Sequence, residues 1–490
     1  MREIKTQGVK KNLFFQTLYQ ALVLIIPFFI APYLTRVILE DNIGVYTYVN
    51  SIASYFVLLA NLGISSHGQR ILAGCKEDEV EFRKNFWSLW LDHALVSVFS
   101  TVLYLILALT VFKEDQCVYL LQSILVASAL FDVTWLFYGL QNMKIVVLAN
   151  LFCRVAYLVS VFVFVRSADD FYVYVLIASL GTFVPCLITF IVGAVHFPFV
   201  FPERRYFLKH WKPMFVLSLA SIASTLYTTF DKTIIGIYLP KSEVAFYEYA
   251  NKILTIPKSI LATIGTVMYP KICSLLAKGE NEEAKRLRSY SIDLTTIFSI
   301  AAAFGLLAVS DRFIALYYGE NFLASSDYLK LMCPLVYIIL LGDVFRSQCL
   351  IPNKKDWIYI ASLFISAGVN TILNFALIGH IGVYGVIIGS IAAELAATVF
   401  EWIFARKDIR NLDVLKSFLF FGVDGALMLG LIYLLSGFIS TTWLFLLVSV
   451  LAGAVVYLSL ALIYLFLVSS NREAYKAKAA SLLKRTKDNV

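Results

Sequence analysis

Runs of apolar residues, each near the roughly 20 positions a helix needs to cross a bilayer, alternate with short polar connections along the whole chain. They predict fourteen transmembrane helices, at residues 12–38, 43–65, 85–112, 117–139, 145–166, 171–197, 213–239, 244–272, 290–310, 329–351, 357–378, 383–405, 416–437 and 443–468. The spans at 43–65 and 357–378 are the least apolar. The opening MREIKTQGVKK is followed by too long an apolar run for a signal peptide, so the first span reads as a retained helix. The longest connections expected inside are about 66–84, 198–212 and 273–289, and the longest outside is about 311–328. The tail NREAYKAKAASLLKRTKDN reads as a basic amphipathic helix along the inner surface.

One polar corner occurs twice. Gly44–Ile52, GVYTYVNSI, matches Ala245–Ile253, AFYEYANKI, with Tyr, Tyr, Asn and Ile identical at an offset of 201. The same offset carries Asn12, at the start of span 1, onto Pro213, at the start of span 7. Six spans lie between, so both copies enter the membrane from one side, as parallel repeats related by an axis along the membrane normal do. The predicted fold is all-α and integral to the membrane, with about 14 transmembrane helices. Two parallel six-helix lobes are related by a pseudo-two-fold along the membrane normal, and two C-terminal helices follow. The corresponding domains are 1–200 (spans 1–6), 201–412 (spans 7–12), 413–470 (spans 13–14) and a basic cytoplasmic tail, 471–490.

Composition sharpens this picture. Of the 490 residues, 60% are hydrophobic and only 15% charged, where a soluble protein carries about 25%. With the N-terminus placed inside, the inner segments and the span ends bordering them hold thirty of the 41 Lys and Arg; the outer side holds six and span interiors five. This asymmetry follows the positive-inside rule and predicts cytoplasmic termini in the cytoplasmic membrane. The seven cysteines are scattered without a C-x-x-C, which excludes a disulfide framework or zinc site from spacing. No phosphate-binding loop and no H-E-x-x-H occurs, the five histidines are far apart in sequence, and no nucleophile–base constellation stands out. An enzyme is therefore not expected.

Ionisable groups at membrane depth cost at least about 2.5–3.5 kcal/mol and normally face a polar interior. The cations so placed are Arg154, Lys232, Lys252, Lys258 and Arg346, with Arg36 at an outer mouth. Ser218, Ser221, Thr225, Thr228 and Lys232 share one helical face in span 7. Glu248, Asn251, Lys252, Thr255 and Ser259 form a second polar stripe in span 8. These predict walls of a hydrated cavity, against the plainer reading that small polar residues let helices approach closely. Asn50, the counterpart of Asn251, joins the substrate-facing set. Asp92, Asp132, Asp231 and Glu248 are candidates for ion coupling, although Glu248 and Lys252 at i, i+4 could neutralise each other. Arg346 could instead bridge to Asp343, and Arg36 could be an interfacial anchor. Asp293, Glu401 and Asp424 read as interfacial; Glu394 is deeper. Pro27, Pro32, Pro185, Pro257 and Pro334 are potential bending points.

The PYLTR corner at Pro32–Arg36, the G-x-Y at Gly44–Tyr46 and the N-L-G-I-x-x-x-G-x-R run from Asn61 to Arg70 resemble the polysaccharide transporters. These are the Wzx-type flippases of lipid-linked oligosaccharides, within the multidrug/oligosaccharidyl-lipid/polysaccharide exporter superfamily. The resemblance extends over essentially the whole chain, with VMYPKI at Val267–Ile272 in the second half. It implies a flippase moving a polyprenyl-pyrophosphate-linked oligosaccharide repeat unit from the inner to the outer leaflet for O-antigen, capsule or exopolysaccharide synthesis. Alternating access of a cationic cavity between two lobes would carry it. The implied partners are that lipid-linked oligosaccharide, the bilayer and polysaccharide polymerase machinery, with no nucleic acid. No cofactor is implied, and coupling to membrane potential, proton or sodium stays open. The alternatives are a multidrug cation antiporter of the same superfamily, which calls for an acidic lumen, and a glycan polymerase or ligase, which calls for a long outer loop.

Overall fold

The structure is a computed structural model that describes residues 26–75, 77–201, 210–469, 471–473 and 475–476. Among these the elements are helical and no strand occurs. Twelve helices are long and apolar enough to cross a membrane. The first expected span lies partly outside the described residues, which retain its end as α1, Ile26–Val37; the expected seventh is a helix of 28 residues. Most of the expected tail helix lies outside the described residues as well. The chain divides into two compact units, Met1–Ala245 and Phe246–Val490.

The first unit continues with α2 (Glu40–Asn61), α3 (Ile64–Gly74), α4 (Glu79–Thr110), α5 (Gln116–Ser128), α6 (Thr134–Gly139), α7 (Met143–Phe164), α8 (Phe171–His196) and α9 (Trp211–Tyr238). Asp78 starts α4 by accepting from the N–H groups of Val80 and Glu81, satisfying donors that a helix start leaves free. Helix α2 packs on α4 and α9, and α8 packs on α5 and α7. An aromatic core of Phe82, Phe86, Trp87, Trp135 and Phe137 joins α4 to α6. The predicted span 43–65 extends through a kink, because Gly63 separates α2 from α3 in the left-handed region (φ 73°). A Cβ there would lie only 2.2 Å from the Met214 carbonyl oxygen and 2.9 Å from the Ser218 nitrogen of α9, so only glycine fits the N-L-G-I run.

The twice-used corner is a contact. The Asp41 carboxylate accepts from the backbone N–H of Ser242 at 3.2 Å, and these two residues are 201 apart, the repeat offset itself. Gly44 lies against the backbone of Lys241, where a Cβ would collide with the Lys241 carbonyl. Lys241 donates to the Gly236 carbonyl and sits 3.7 Å above the Tyr48 ring. One layer further along, Ser51 and Tyr55 both hydrogen bond the Thr233 hydroxyl at 3.0 Å.

The second unit takes in most of α10 (Lys241–Ala277), then α11 (Asn281–Tyr317), α12 (Ala324–Met332), α13 (Pro334–Val344), α14 (Asp356–Ile381), α15 (Val383–Ala405), α16 (Asn411–Phe438) and α17 (Thr442–Ile463). A π-helical turn, Phe345–Leu350, follows α13. Helices α14 and α15 form the tightest pair, and α11 packs on α13 and α16. Pro257 and Pro270 are accommodated within α10, as Pro185 is within α8. Asp293 is a buried anchor: it accepts from Ser417 of α16 at 2.7 Å, from Ser469 at 2.8 Å and from Tyr475 at 3.3 Å. Asp293, Glu401 and Asp424, read as interfacial from their places near span ends, are buried among protein side chains, at 1%, 0% and 1% exposed. The sequence shows depth along a helix; which way a side chain faces is set by the neighbours.

Candidate functional site

The fourth expected span, 117–139, is not one helix. It stops at Ser128, passes through a 3-10 turn (Ala129–Phe131), is extended at Asp132 and restarts as α6. Such a break frees carbonyls that hydrocarbon cannot satisfy, and here indoles take them. Trp90 Nε1 donates to the Leu130 carbonyl and Trp135 Nε1 to the Asp132 carbonyl, both at 3.1 Å. The Asp132 carboxylate accepts from the backbone N–H of Thr134 at 3.0 Å and from its hydroxyl at 2.7 Å, so it caps the restarted helix.

Beside this break lies a cavity of about 280 Å3, lined by Asp132, Thr134 and Tyr138 together with Asn150 and Arg154 of α7 and Cys186 of α8. Asn150 is tied back to the Val146 carbonyl at 2.9 Å. Two sequence candidates from different spans, Asp132 and Arg154, thus meet at one polar cavity. Its lining offers a guanidinium, a carboxylate, an amide and hydroxyls, a set that can hydrogen bond polyhydroxylated or ionic groups.

In the second unit the charges meet one another. Arg346, in the π turn, donates to both oxygens of Glu401 at 3.2 and 3.3 Å, and Ser362 donates to Glu401 at 2.6 Å. Asp343 and Glu394 add their fields at Arg346, and Glu394 also faces Lys258. Arg346 therefore bridges to Glu401 on α15, fifty-five residues away, whereas the sequence alternative paired it with Asp343. Buried Arg288 holds the turn by donating to the Gln348 carbonyl at 2.8 Å, and Gln348 in turn donates to Ser291 at 2.7 Å.

The other candidates have their own local contacts. Arg36 is exposed and donates to the Pro32 carbonyl of its own helix at 2.6 Å. Asn50 donates to Gln122 at 3.3 Å, joining α2 to α5. Asp92, fully buried, accepts from Trp211 Nε1 at 3.0 Å and so fastens the start of α9. Asp231 is buried on α9 and Lys232 half-buried beside it; Asp231 acts electrostatically on Tyr55. Thr225 is half-buried, and exposed Thr228 donates to its carbonyl at 3.3 Å. On α10, Lys252 lies 4.2 Å above the Tyr249 ring, with Glu248 and Asn251 half-buried alongside.

Sequence reasoning passed over three groupings. His67 and His210, remote in the chain, hydrogen bond at 2.9 Å between Nε2 and Nδ1. Asn370 donates to Ser390 at 3.2 Å and Asn374 to Asn370 at 3.1 Å, a polar seam between α14 and α15. The Glu401–Ser362 contact is the third. The seam had a readable signal, since Ser362, Ser366, Asn370 and Asn374 recur every four residues on one face; the histidine pair had none.

Comparison with known proteins adds the following. The sequence profile of the family described as "Polysaccharide biosynthesis protein" matches residues 9–276. The chain is 26% identical over 400 residues to a protein of Shigella dysenteriae named "Putative O-antigen transporter", covering 80% of this chain and 98% of that one. In fold it is similar to the lipid II flippase MurJ in an inward closed conformation, with a TM-score of 0.76 and 15% identity over 92% of this chain and 99% of the other. It is also similar to an inward-facing multidrug resistance MATE family transporter of the MOP superfamily, with a TM-score of 0.58 and 14% identity over 80% of this chain and 94% of that one. These two likenesses concern the fold.

Proposed function

The chain belongs to the polysaccharide biosynthesis protein family, and from that premise we propose that it is a flippase, not an enzyme, for polyprenyl-pyrophosphate-linked oligosaccharide repeat units. It carries them from the inner to the outer leaflet of the cytoplasmic membrane by alternating access, with both termini cytoplasmic, and delivers them to polysaccharide polymerase machinery. One observation supports this reading most: a polar cavity lined by Arg154 and Asp132 lies beside the broken fourth span. Each sugar hydroxyl stripped of water in hydrocarbon costs a few kcal/mol, and polar walls replace that water. Cations hold a pyrophosphate, an arginine bidentately. Arg154, Lys232, Lys252 and Lys258 are assigned that role, and Arg346 is assigned to holding Glu401. An inside-negative potential favours outward transfer of an anion by about 2.3 kcal/mol per charge per 100 mV. The fold is shared with a drug transporter, so fold alone does not separate the antiporter alternative; the family match favours the flippase.

The test is deletion of the gene, after which unflipped lipid-linked repeat units accumulate at the inner leaflet. Restoration of the wild-type chain clears them. Export that continues unchanged without the protein overturns the reading. Replacing Lys232, Lys252 and Lys258 together with Ala is expected to reduce translocation more than protein level, measured as flipped substrate per unit of membrane-inserted chain.

A further inference from the structure

Helix α16 carries a carboxyl that forms no hydrogen bond or ion pair among the described residues. Asp424 stands at the middle of this 28-residue helix, about 20 Å from either end at 1.5 Å per residue, the depth of a bilayer's centre. It is 1% exposed, and neither carboxyl oxygen has a hydrogen-bond partner. It lines a cavity of about 480 Å3 that runs along α16, with Leu419, Val423, Leu427 and Leu460 as apolar walls and Lys416 at one end.

Among the described residues, the helices packed against α16 bring no counter-charge to Asp424; Arg312 of α11 donates to the Ser436 and Ile439 carbonyls at the far end of α16. From α17 the titratable neighbour is Tyr457, but its hydroxyl donates to the Ile297 carbonyl at 2.8 Å. From α11 the packed side chains are Ile297, Ile300 and Phe304, and the acid further down that helix, Asp293, is taken up by Ser417, Ser469 and Tyr475. On α16 itself Lys416 is two turns away and Asp413 accepts from Ser289. An ionised carboxylate without donors or a cation is strongly disfavoured at this depth, whereas the neutral acid fits.

We propose that Asp424 is a membrane-embedded proton-binding site, outside the two six-helix repeats, that carries its proton at neutral pH and exchanges it during transport. The contrast within one unit is informative: Asp293 has three donors and Glu401 has Arg346 and Ser362, while Asp424 has an apolar groove.

A hydrophobic carbodiimide, dicyclohexylcarbodiimide, tests it on the full-length protein in membranes. The acid O–H adds across one C=N bond to give an O-acylisourea, whose acyl group then migrates to nitrogen as a stable N-acylurea; nothing is oxidised or reduced. Peptide mapping is expected to find the adduct on Asp424 in preference to Asp293 and Glu401, with a yield falling at least about threefold between about pH 6 and about pH 9. Asp424→Asn is expected to remove that adduct while leaving the melting temperature unchanged. Absence of the adduct, or a yield independent of pH, overturns the site. The second arm rests on the proposed flippase: Asp424→Asn flattens the pH dependence of export. A wild-type profile in that variant overturns proton exchange during transport, even where the labelling succeeds. Loss of the flippase reading leaves the labelling result standing.

Discussion

At the broken span of the first unit charges lie beside open space, and at the π turn of the second they close upon one another. At the break between α5 and α6, Asp132 satisfies Thr134 and Arg154 borders a cavity of about 280 Å3. At the π turn after α13, Arg346 is held by Glu401, which Ser362 also binds, with Asp343 and Glu394 nearby. Both places interrupt an α-helix, and both bring ionisable groups to membrane depth. The same residue types thus border a cavity in one unit and form a brace in the other, and the difference lies in which side chains the neighbouring helices bring to them.

The largest expected effect tests the brace. Glu401→Ala deprives the half-buried Arg346 guanidinium of the carboxylate it hydrogen bonds and is expected to destabilise the protein by up to about 3 kcal/mol, read as the unfolding midpoint in detergent. The double variant Arg346→Met with Glu401→Leu should recover most of that loss, because an apolar pair replaces a buried ion pair at little net cost. Full stability combined with lost export in Glu401→Ala would make the network a binding site instead. Next comes the cavity: Arg154→Ala is expected to lower export about tenfold, the worth of one charge-assisted hydrogen bond, with the unfolding midpoint little changed. A fall in stability without a specific loss of export would turn the cavity into a second brace. The smallest effect concerns the cap, where Asp132→Ala costs about 1 kcal/mol and Asp132→Asn less, since Asn still accepts from Thr134.

Much of this was readable in the chain and some was not. The offset between GVYTYVNSI and AFYEYANKI is also the separation of Asp41 and Ser242, whose carboxylate and backbone N–H hydrogen bond just ahead of the two copies. The glycine of the N-L-G-I run is explained by a left-handed backbone pressed on α9. The break in span 4 escaped notice because no proline or glycine marks it; the D-V-T-W sequence at Asp132–Trp135 does, through a cap and an indole. The meeting of Asp132 with Arg154, and of Arg346 with Glu401, depends on which helices become neighbours, and periodicity along one helix carries no such information. For the same reason the donors that hold Asp293 and Glu401 are not legible from their places near span ends.

The two indoles that brace the broken span have a practical consequence. Trp90 and Trp135 donate to the carbonyls of Leu130 and Asp132, so the groups that satisfy the elbow are fluorophores. A head group arriving in the adjoining chamber would alter the polarity around these rings and shift their emission, giving the protein a built-in optical gauge of occupancy that needs no attached dye.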